Sequence, residues 1–216
     1  MRRVFLFCGH YGSGKTNLAV NLACRLKEQG GDVAIADLDI VNPYFRTVDS
    51  RDALTERGID VYGLPFANTN VDLPSLPSEI YGLVQTHRKL AVMDIGGDER
   101  GVLALGRFAP YILEENDYEM YFVVNFYRPL TRTPEEALAV FREITEATPL
   151  RFTGIVNNSN LGAETTAPDV EATVSEAAAL ADLTGLPLVY TSYNAALSPA
   201  PAVPSPMPLR LQKKLF

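Results

Sequence analysis

Short apolar runs recur along the chain at Val4–Phe7, Val33–Ala36, Leu90–Met93, Tyr121–Val124, Gly154–Val156 and Leu188–Tyr190. Each is of strand length and apolar without strict alternation, the pattern of a strand buried on both faces. Amphipathic stretches lie between them. In Thr16–Gln29, Leu18, Ala19, Leu22, Ala23 and Leu26 fall on one helical face, and Gly30-Gly31 supplies the stop. Thr133-Pro134-Glu135-Glu136 and Thr166-Ala167-Pro168-Asp169 each combine a hydroxyl cap, an early proline and an acid three residues on, predicting helices that end near Ala147 and Thr184. Strand alternating with helix predicts a three-layer α/β/α fold with a mainly parallel central sheet. Its crossovers are right-handed and its ligand loops lie at the carboxyl ends of the strands.

Two regions break the pattern. Between residues 40 and 90, Pro43, Pro65, Pro74 and Pro77 interrupt short helices expected near Val48–Arg57 and Ser78–His87, which reads as a mobile, partner-facing insertion. From Ser198 to Pro208 there are prolines at 199, 201, 204, 206 and 208, so this segment should be extended and leave Leu209–Phe216 as a separate tail. The expected division is a nucleotide-binding domain over 1–197 and a proline-rich segment with a tail over 198–216.

Composition narrows the class. A chain of 216 residues, 47% hydrophobic and 21% charged, suits one α/β domain. A net charge of -7 with 19 scattered basic residues argues against nucleic acid or an anionic membrane as partner. Cys8 and Cys24 are too far apart for a zinc or iron-sulfur ligand set and read as packing thiols. Met1-Arg2-Arg3 precedes no signal-peptide core, so a soluble, cytoplasmic protein is expected.

The candidate chemistry begins where the first strand must turn into the first helix, at Gly9-His10-Tyr11-Gly12-Ser13-Gly14-Lys15-Thr16, with Asn17 beside it. A triphosphate needs many donors close to its oxygens. Gly9, Gly12 and Gly14 let the backbone wrap inward while the helix aims its free N–H groups and positive end at the phosphates. Lys15 can reach the β and γ phosphates, and the Thr16 hydroxyl can ligate the bridging Mg2+. These features define a P-loop nucleoside triphosphatase pattern.

A second element is an apolar strand ending in an acid, Leu90-Ala91-Val92-Met93-Asp94-Ile95-Gly96-Gly97. Asp94 would hold the metal through water, and Gly96 and Gly97 form a loop able to sense loss of the γ phosphate. Asp94 could instead cap a strand-to-helix turn. Asp37-Leu38-Asp39 puts two carboxylates on one side of an extended chain, able to approach metal and attacking water, or else forms an acidic turn before Pro43.

Taken in order, the glycine loop, Ala36-Asp37-Leu38-Asp39-Ile40, Asp94-Ile95-Gly96-Gly97 and Gly154-Ile155-Val156-Asn157-Asn158 resemble the ParA/MinD-like branch of P-loop ATPases. This is the deviant Walker A, SIMIBI-class family of CobQ/CobB/MinD/ParA nucleotide-binding domains. The resemblance implies ATP and Mg2+ as ligands, ATP hydrolysis, and a nucleotide-dependent switch of a homodimer or protein partner. It further implies Asp39 as the catalytic water-positioning acid beside Lys15, Asp37 as its magnesium-side partner, and Asn157 as the reader of adenine. His10 departs from the family, which carries there a lysine reaching the partner's phosphates; it is either a conditional cation or a loop donor. No iron-sulfur cysteines have a counterpart, and Leu209–Phe216 is short for a membrane-seeking helix.

Arg128 and Arg132, among aromatics in Asn125–Thr133, read either as a nucleotide or partner contact or as a solvated connection, and Arg100 and Arg107 share that ambiguity. Two alternatives to the switch share the fold: an ATP-dependent synthetase of the cobyrinic acid or dethiobiotin type, and a nucleotide-binding scaffold with negligible hydrolysis.

Overall fold

The computed structural model describes residues 2–38, 51–63, 78–97 and 99–210. Its strands form where apolar runs can be covered on both faces: β1 (Val4–Cys8), β2 (Val33–Leu38), β3 (Asp60–Gly63), β4 (Leu90–Ile95), β5 (Tyr118–Val124), β6 (Gly154–Asn157), β7 (Leu188–Asn194) and β8 (Pro206–Leu209). The helices among the described residues are α1 (Lys15–Glu28), α2 (Arg51–Glu56), α3 (Ser78–Gln85), α4 (Glu99–Glu115), α5 (Pro134–Ala147), α6 (Ala167–Glu171) and α7 (Val174–Thr184).

All eight strands lie in one parallel sheet, in the order β3-β2-β4-β1-β5-β6-β7-β8. Side chains alternate with period two, so each strand feeds two cores. Leu6, Ala36, Met93 and Phe122 pack on one face with residues of α3, α4, α5 and α7. Phe5, Phe7, Ile35, Val92 and Val123 pack on the other with Leu18, Leu22 and Leu26 of α1 and Leu54 of α2. This is the expected three-layer α/β/α arrangement, with the carboxyl ends of β1, β2 and β4 side by side in the middle of the sheet.

Several local signals act as written in the chain. Thr133 caps α5 by accepting from Glu136 N, with Pro134 in the first turn, and the helix stops at Ala147. Helix α1 ends at Glu28, followed by Gly30 in the left-handed region at φ 88°. The helix predicted from Thr166 to near Thr184 is instead two: after Ala167–Glu171 the chain breaks at Thr173, whose hydroxyl donates to Val170 O, and resumes at Val174.

The irregular region is integrated into the sheet where it is described, because β3 pairs with β2 and α3 packs on α4. Residues 39–50 and 64–77, on which the reading of a mobile insertion largely rests, lie outside the described residues.

The proline-rich segment also differs from expectation. It ends in β8, which pairs with β7, and Leu209 is 2% exposed rather than the start of a separate tail. Met207 and Leu209 alternate inward while Pro206 and Pro208 stay exposed. Prolines without an N–H are tolerated there because β8 is an edge strand, where they also discourage further pairing. Arg210 N donates to Asn21 Oδ1 and Asn21 Nδ2 donates to Arg210 O, seating this end on α1. Residues 211–216 lie outside the described residues.

Candidate nucleotide site at the carboxyl edge

The chain leaves β1 at Cys8 and enters α1 at Lys15, and its path between them is set by glycines. A Cβ on Gly9 would collide with the Val123 carbonyl of β5. Gly12 and Gly14 have φ of 76° and 87°, which disfavour any residue with a side chain. Ser13 N donates to His10 O at 3.2 Å, closing a turn whose interior faces the start of α1. The Ser13 side chain is buried, and its Oγ has no hydrogen-bond partner among the described residues. A buried hydroxyl without a partner is costly, so a ligand oxygen would satisfy this one.

Lys15 is only 4% exposed, and its ammonium donates to His10 O at 3.4 Å, holding it across the loop. The Thr16 hydroxyl donates to Asp94 Oδ2 at 2.6 Å, joining the first turn of α1 to the end of β4. Asp37 stands opposite Asp94 in the β2–β4 register and is also buried. By strand alternation both carboxylates share the α1 side of the sheet with Ile35 and Val92. Two buried carboxylates and a hydroxyl at adjacent strand ends form a hard oxygen donor set of the kind Mg2+ takes alongside phosphate and water. The structure thus brings Thr16, Asp37 and Asp94, three of the four candidate metal ligands, to one place. Asp39, the fourth member, lies outside the described residues.

The loop after β4 reaches the same place. A Cβ on Gly97 would collide with Gly9 O and come within 2.8 Å of Tyr11 N, so backbone lies directly on backbone between this loop and the glycine loop. Gly101, in the first turn of α4, is pressed equally closely against Gly96. Gly97 thus lies backbone to backbone against the glycine loop, and Gly96 against the start of α4. His10 Nδ1 lies 3.0 Å from Tyr11 O, a contact in which the ring nitrogen donates. Tyr11 is exposed at the rim, and Asn17 is half-buried in the first turn of α1.

Asn157 is placed otherwise than at an open rim. It is 0% exposed; its Nδ2 donates to Thr173 Oγ1 at 3.0 Å, and its Oδ1 accepts from Ser159 N at 3.1 Å and Ser159 Oγ at 2.6 Å. In this conformation its amide organises the loop after β6. The neighbouring Asn158, to which sequence reasoning assigned no role, touches the site directly. Its Nδ2 donates to Ser13 O at 2.6 Å, its Oδ1 accepts from the Ser192 hydroxyl of β7, and a Cβ on Gly14 would strike it. The available signal was two consecutive asparagines closing a buried strand, where polar side chains need partners.

An eight-stranded parallel sheet with a glycine loop between its first strand and first helix, and an acid closing the strand beside it, has the fold of the SIMIBI class of P-loop nucleoside triphosphatases. Solved structures with this fold include chloroplast FtsY from Physcomitrella patens (TM-score 0.59, 18% identity), which covers 88% of this chain and 57% of its own. The signal recognition particle receptor FtsY from Elizabethkingia anophelis matches with TM-score 0.56 and 17% identity over 88% of this chain and 58% of its own. The same receptor in complex with GDP matches with TM-score 0.52 and 16% identity over 87% and 56%. The chain thus spans little more than half the length of these structures. No protein-family model and no curated protein sequence matches it. Among the described residues no helix is long and apolar enough to cross a membrane.

Proposed function

We propose that the chain is a Mg2+-dependent nucleoside triphosphatase that takes ATP and acts as a nucleotide-controlled switch of a dimer or partner surface. The observation that carries this reading is the 2.6 Å contact between the Thr16 hydroxyl and the Asp94 carboxylate beneath the glycine loop. It joins the hydroxyl and the acid that a phosphate-bridging Mg2+ requires.

In this reading the backbone of 9–16 and the Lys15 ammonium hold the phosphates, and Thr16, Asp37 and Asp94 hold the metal. Mg2+ would supply neutralisation of charge developing on the phosphate oxygens. Asp39, two residues beyond Asp37, is the proposed group that orients the attacking water. Gly96 and Gly97 transmit loss of the terminal phosphate through the contact of Gly97 with the glycine loop.

The preference for ATP over GTP comes from the resemblance of the sequence motifs to the ParA/MinD-like branch; in this structure the Asn157 and Asn158 amides are engaged by Thr173, Ser159, Ser13 and Ser192, and the loop after β6 also carries Glu164. The GDP bound to the receptor from E. anophelis makes guanine nucleotides the necessary comparison.

The test is phosphate release with ATP and with GTP by the wild type, Lys15→Ala and Asp39→Ala, with size-exclusion runs in each nucleotide state. Lys15→Ala should lose nucleotide affinity. Asp39→Ala should bind ATP normally while hydrolysing it at least about 100-fold more slowly. Absence of Mg2+-dependent affinity for any purine triphosphate would overturn the reading; activity that appears only with an added carboxylic metabolite would replace the switch with a synthetase.

A further inference from the structure

The loop after β5 brings a second cation to the glycine loop. Arg128 Nε, Cζ and Cδ lie 3.5, 3.6 and 3.8 Å from the point where a Cβ on Gly12 would stand. The guanidinium therefore lies over the middle of the cradle, against the position that turns with φ of 76°.

The loop that carries Arg128 is built, not loose. Asn125 is buried, accepts on Oδ1 from Tyr127 N at 3.0 Å and Asn160 N at 3.3 Å, and donates from Nδ2 to Asn160 O at 3.2 Å. Arg128 N donates to Asn125 O at 3.1 Å, and Thr131 Oγ1 closes the turn on the same carbonyl at 2.7 Å. Tyr127 Oη anchors the flank by donating to Asp169 O at 2.7 Å. These bonds hold the Arg128 backbone in place while leaving its side chain exposed over Gly12.

A guanidinium kept for structure finds a carboxylate or a row of carbonyls, as Arg3 does with Glu115 and with Leu83 O and Lys89 O. Arg128 makes no such ion pair among the described residues. Beneath it, the buried Ser13 hydroxyl also has no partner among them. An orphan hydroxyl and an exposed planar cation on one glycine turn share one complement: an anion with several oxygens, which an arginine fork can grip on two of them at once.

We propose that Arg128 contacts the terminal phosphate of the bound nucleotide and makes this site favour triphosphate over diphosphate. This rests on the nucleotide reading of the glycine loop and adds to it a cation from a different strand connection. Loss of the terminal phosphate would release Arg128, so the loop of 125–132 reports the nucleotide state alongside Gly96-Gly97.

The experiment is calorimetry of a non-hydrolysable ATP analogue and of ADP, each with Mg2+, on the wild type, Arg128→Ala, Arg128→Lys and Lys15→Ala. Arg128→Ala should weaken the triphosphate about tenfold and the diphosphate less than about threefold. Arg128→Lys, which keeps the charge but lacks the fork, should fall between. Because the side chain is exposed, thermal melting of the free protein should be unchanged. Equal affinities in Arg128→Ala and wild type, or equal losses for both nucleotides, would overturn the proposal while leaving the site intact. Failure of the wild type to bind either nucleotide better than Lys15→Ala would overturn the site and the proposal together.

Discussion

At Gly97 a single hydrogen atom separates two loops. Replacing it by a methyl group in Gly97→Ala would drive carbon into Gly9 O and toward Tyr11 N, both backbone atoms with little room to yield. Overpacking of this kind costs about 1–3 kcal/mol, and here the displaced atoms form the cradle. The expected outcome is a loss of Mg2+-nucleotide affinity of tenfold or more with a cooperative fold retained, read by calorimetry beside urea unfolding. Asn158→Ala acts from below the same cradle. It removes the donor to Ser13 O, while the Ser192 hydroxyl keeps Asn157 O as an acceptor at 3.2 Å, at a cost of about 1–3 kcal/mol for the buried group left unpaired. Urea unfolding should show the loss of stability, and calorimetry a weaker nucleotide. At this scale the glycines, Lys15 and Thr16 were legible because their chemistry is local. The contact of Asn158 was not, since it acts on a loop more than a hundred residues away in the chain; for Arg128 the sequence left open a nucleotide or partner contact and a solvated connection, and only the fold puts it over Gly12.

Among the elements, β5 carries the densest aromatic packing. Phe122 is fully buried and meets Phe141 of α5 at a ring-centroid distance of 5.4 Å and Phe152 at 5.6 Å. Phe122→Ala should cost about 3–5 kcal/mol, seen as a lowered urea midpoint. The β3 edge makes a prediction about pH. Lys89 Nζ donates to Asp32 at 3.1 Å and pairs with Asp60 at 2.8 Å. The Lys89 hydrogen bond holds the Asp60 carboxyl below the usual carboxylate range, and the Asp60 bond in turn raises the Lys89 ammonium. A carboxyl with a depressed native pKa stabilises the fold above its unfolded value of about 3.9, and loses that contribution as pH falls through the native value. An ammonium with a raised native pKa contributes fully below about 10.4 and loses it as pH climbs through the native value. Lys89→Met should therefore melt below the wild type between about pH 5 and pH 9, by no more than about 1 kcal/mol because the pair is solvated. The two curves should converge in acid.

For the whole molecule, the unexpected eighth strand ties the carboxyl-terminal part of the chain to α1. Removing residues 206–216 would uncover Val189, Tyr190 and the α1 surface now packed with Met207 and Leu209. The truncated protein should unfold at a lower urea concentration and bind a hydrophobic dye that the full chain does not. The strand escaped notice because alternating prolines suit a solvated linker as well as they suit a sheet edge. Only the presence of β7 with an open side decides between them. The same reasoning covers β3, a four-residue strand too short to be distinguished until β2 lies beside it.

What the chain determined by itself is the alternation of buried strands and amphipathic helices, the capped start of α5, and a glycine loop with a lysine and a hydroxyl at its end. Each is a local pattern of period, cap or backbone freedom, satisfied within a few neighbouring residues. What tertiary structure alone decided is the meeting of distant groups: Thr16 with Asp94, Gly97 on Gly9, Asn158 beneath Ser13, and Arg128 over Gly12. The order of strands in a parallel sheet sets which loops share an edge, and that order follows from long-range packing that no local stretch of sequence encodes.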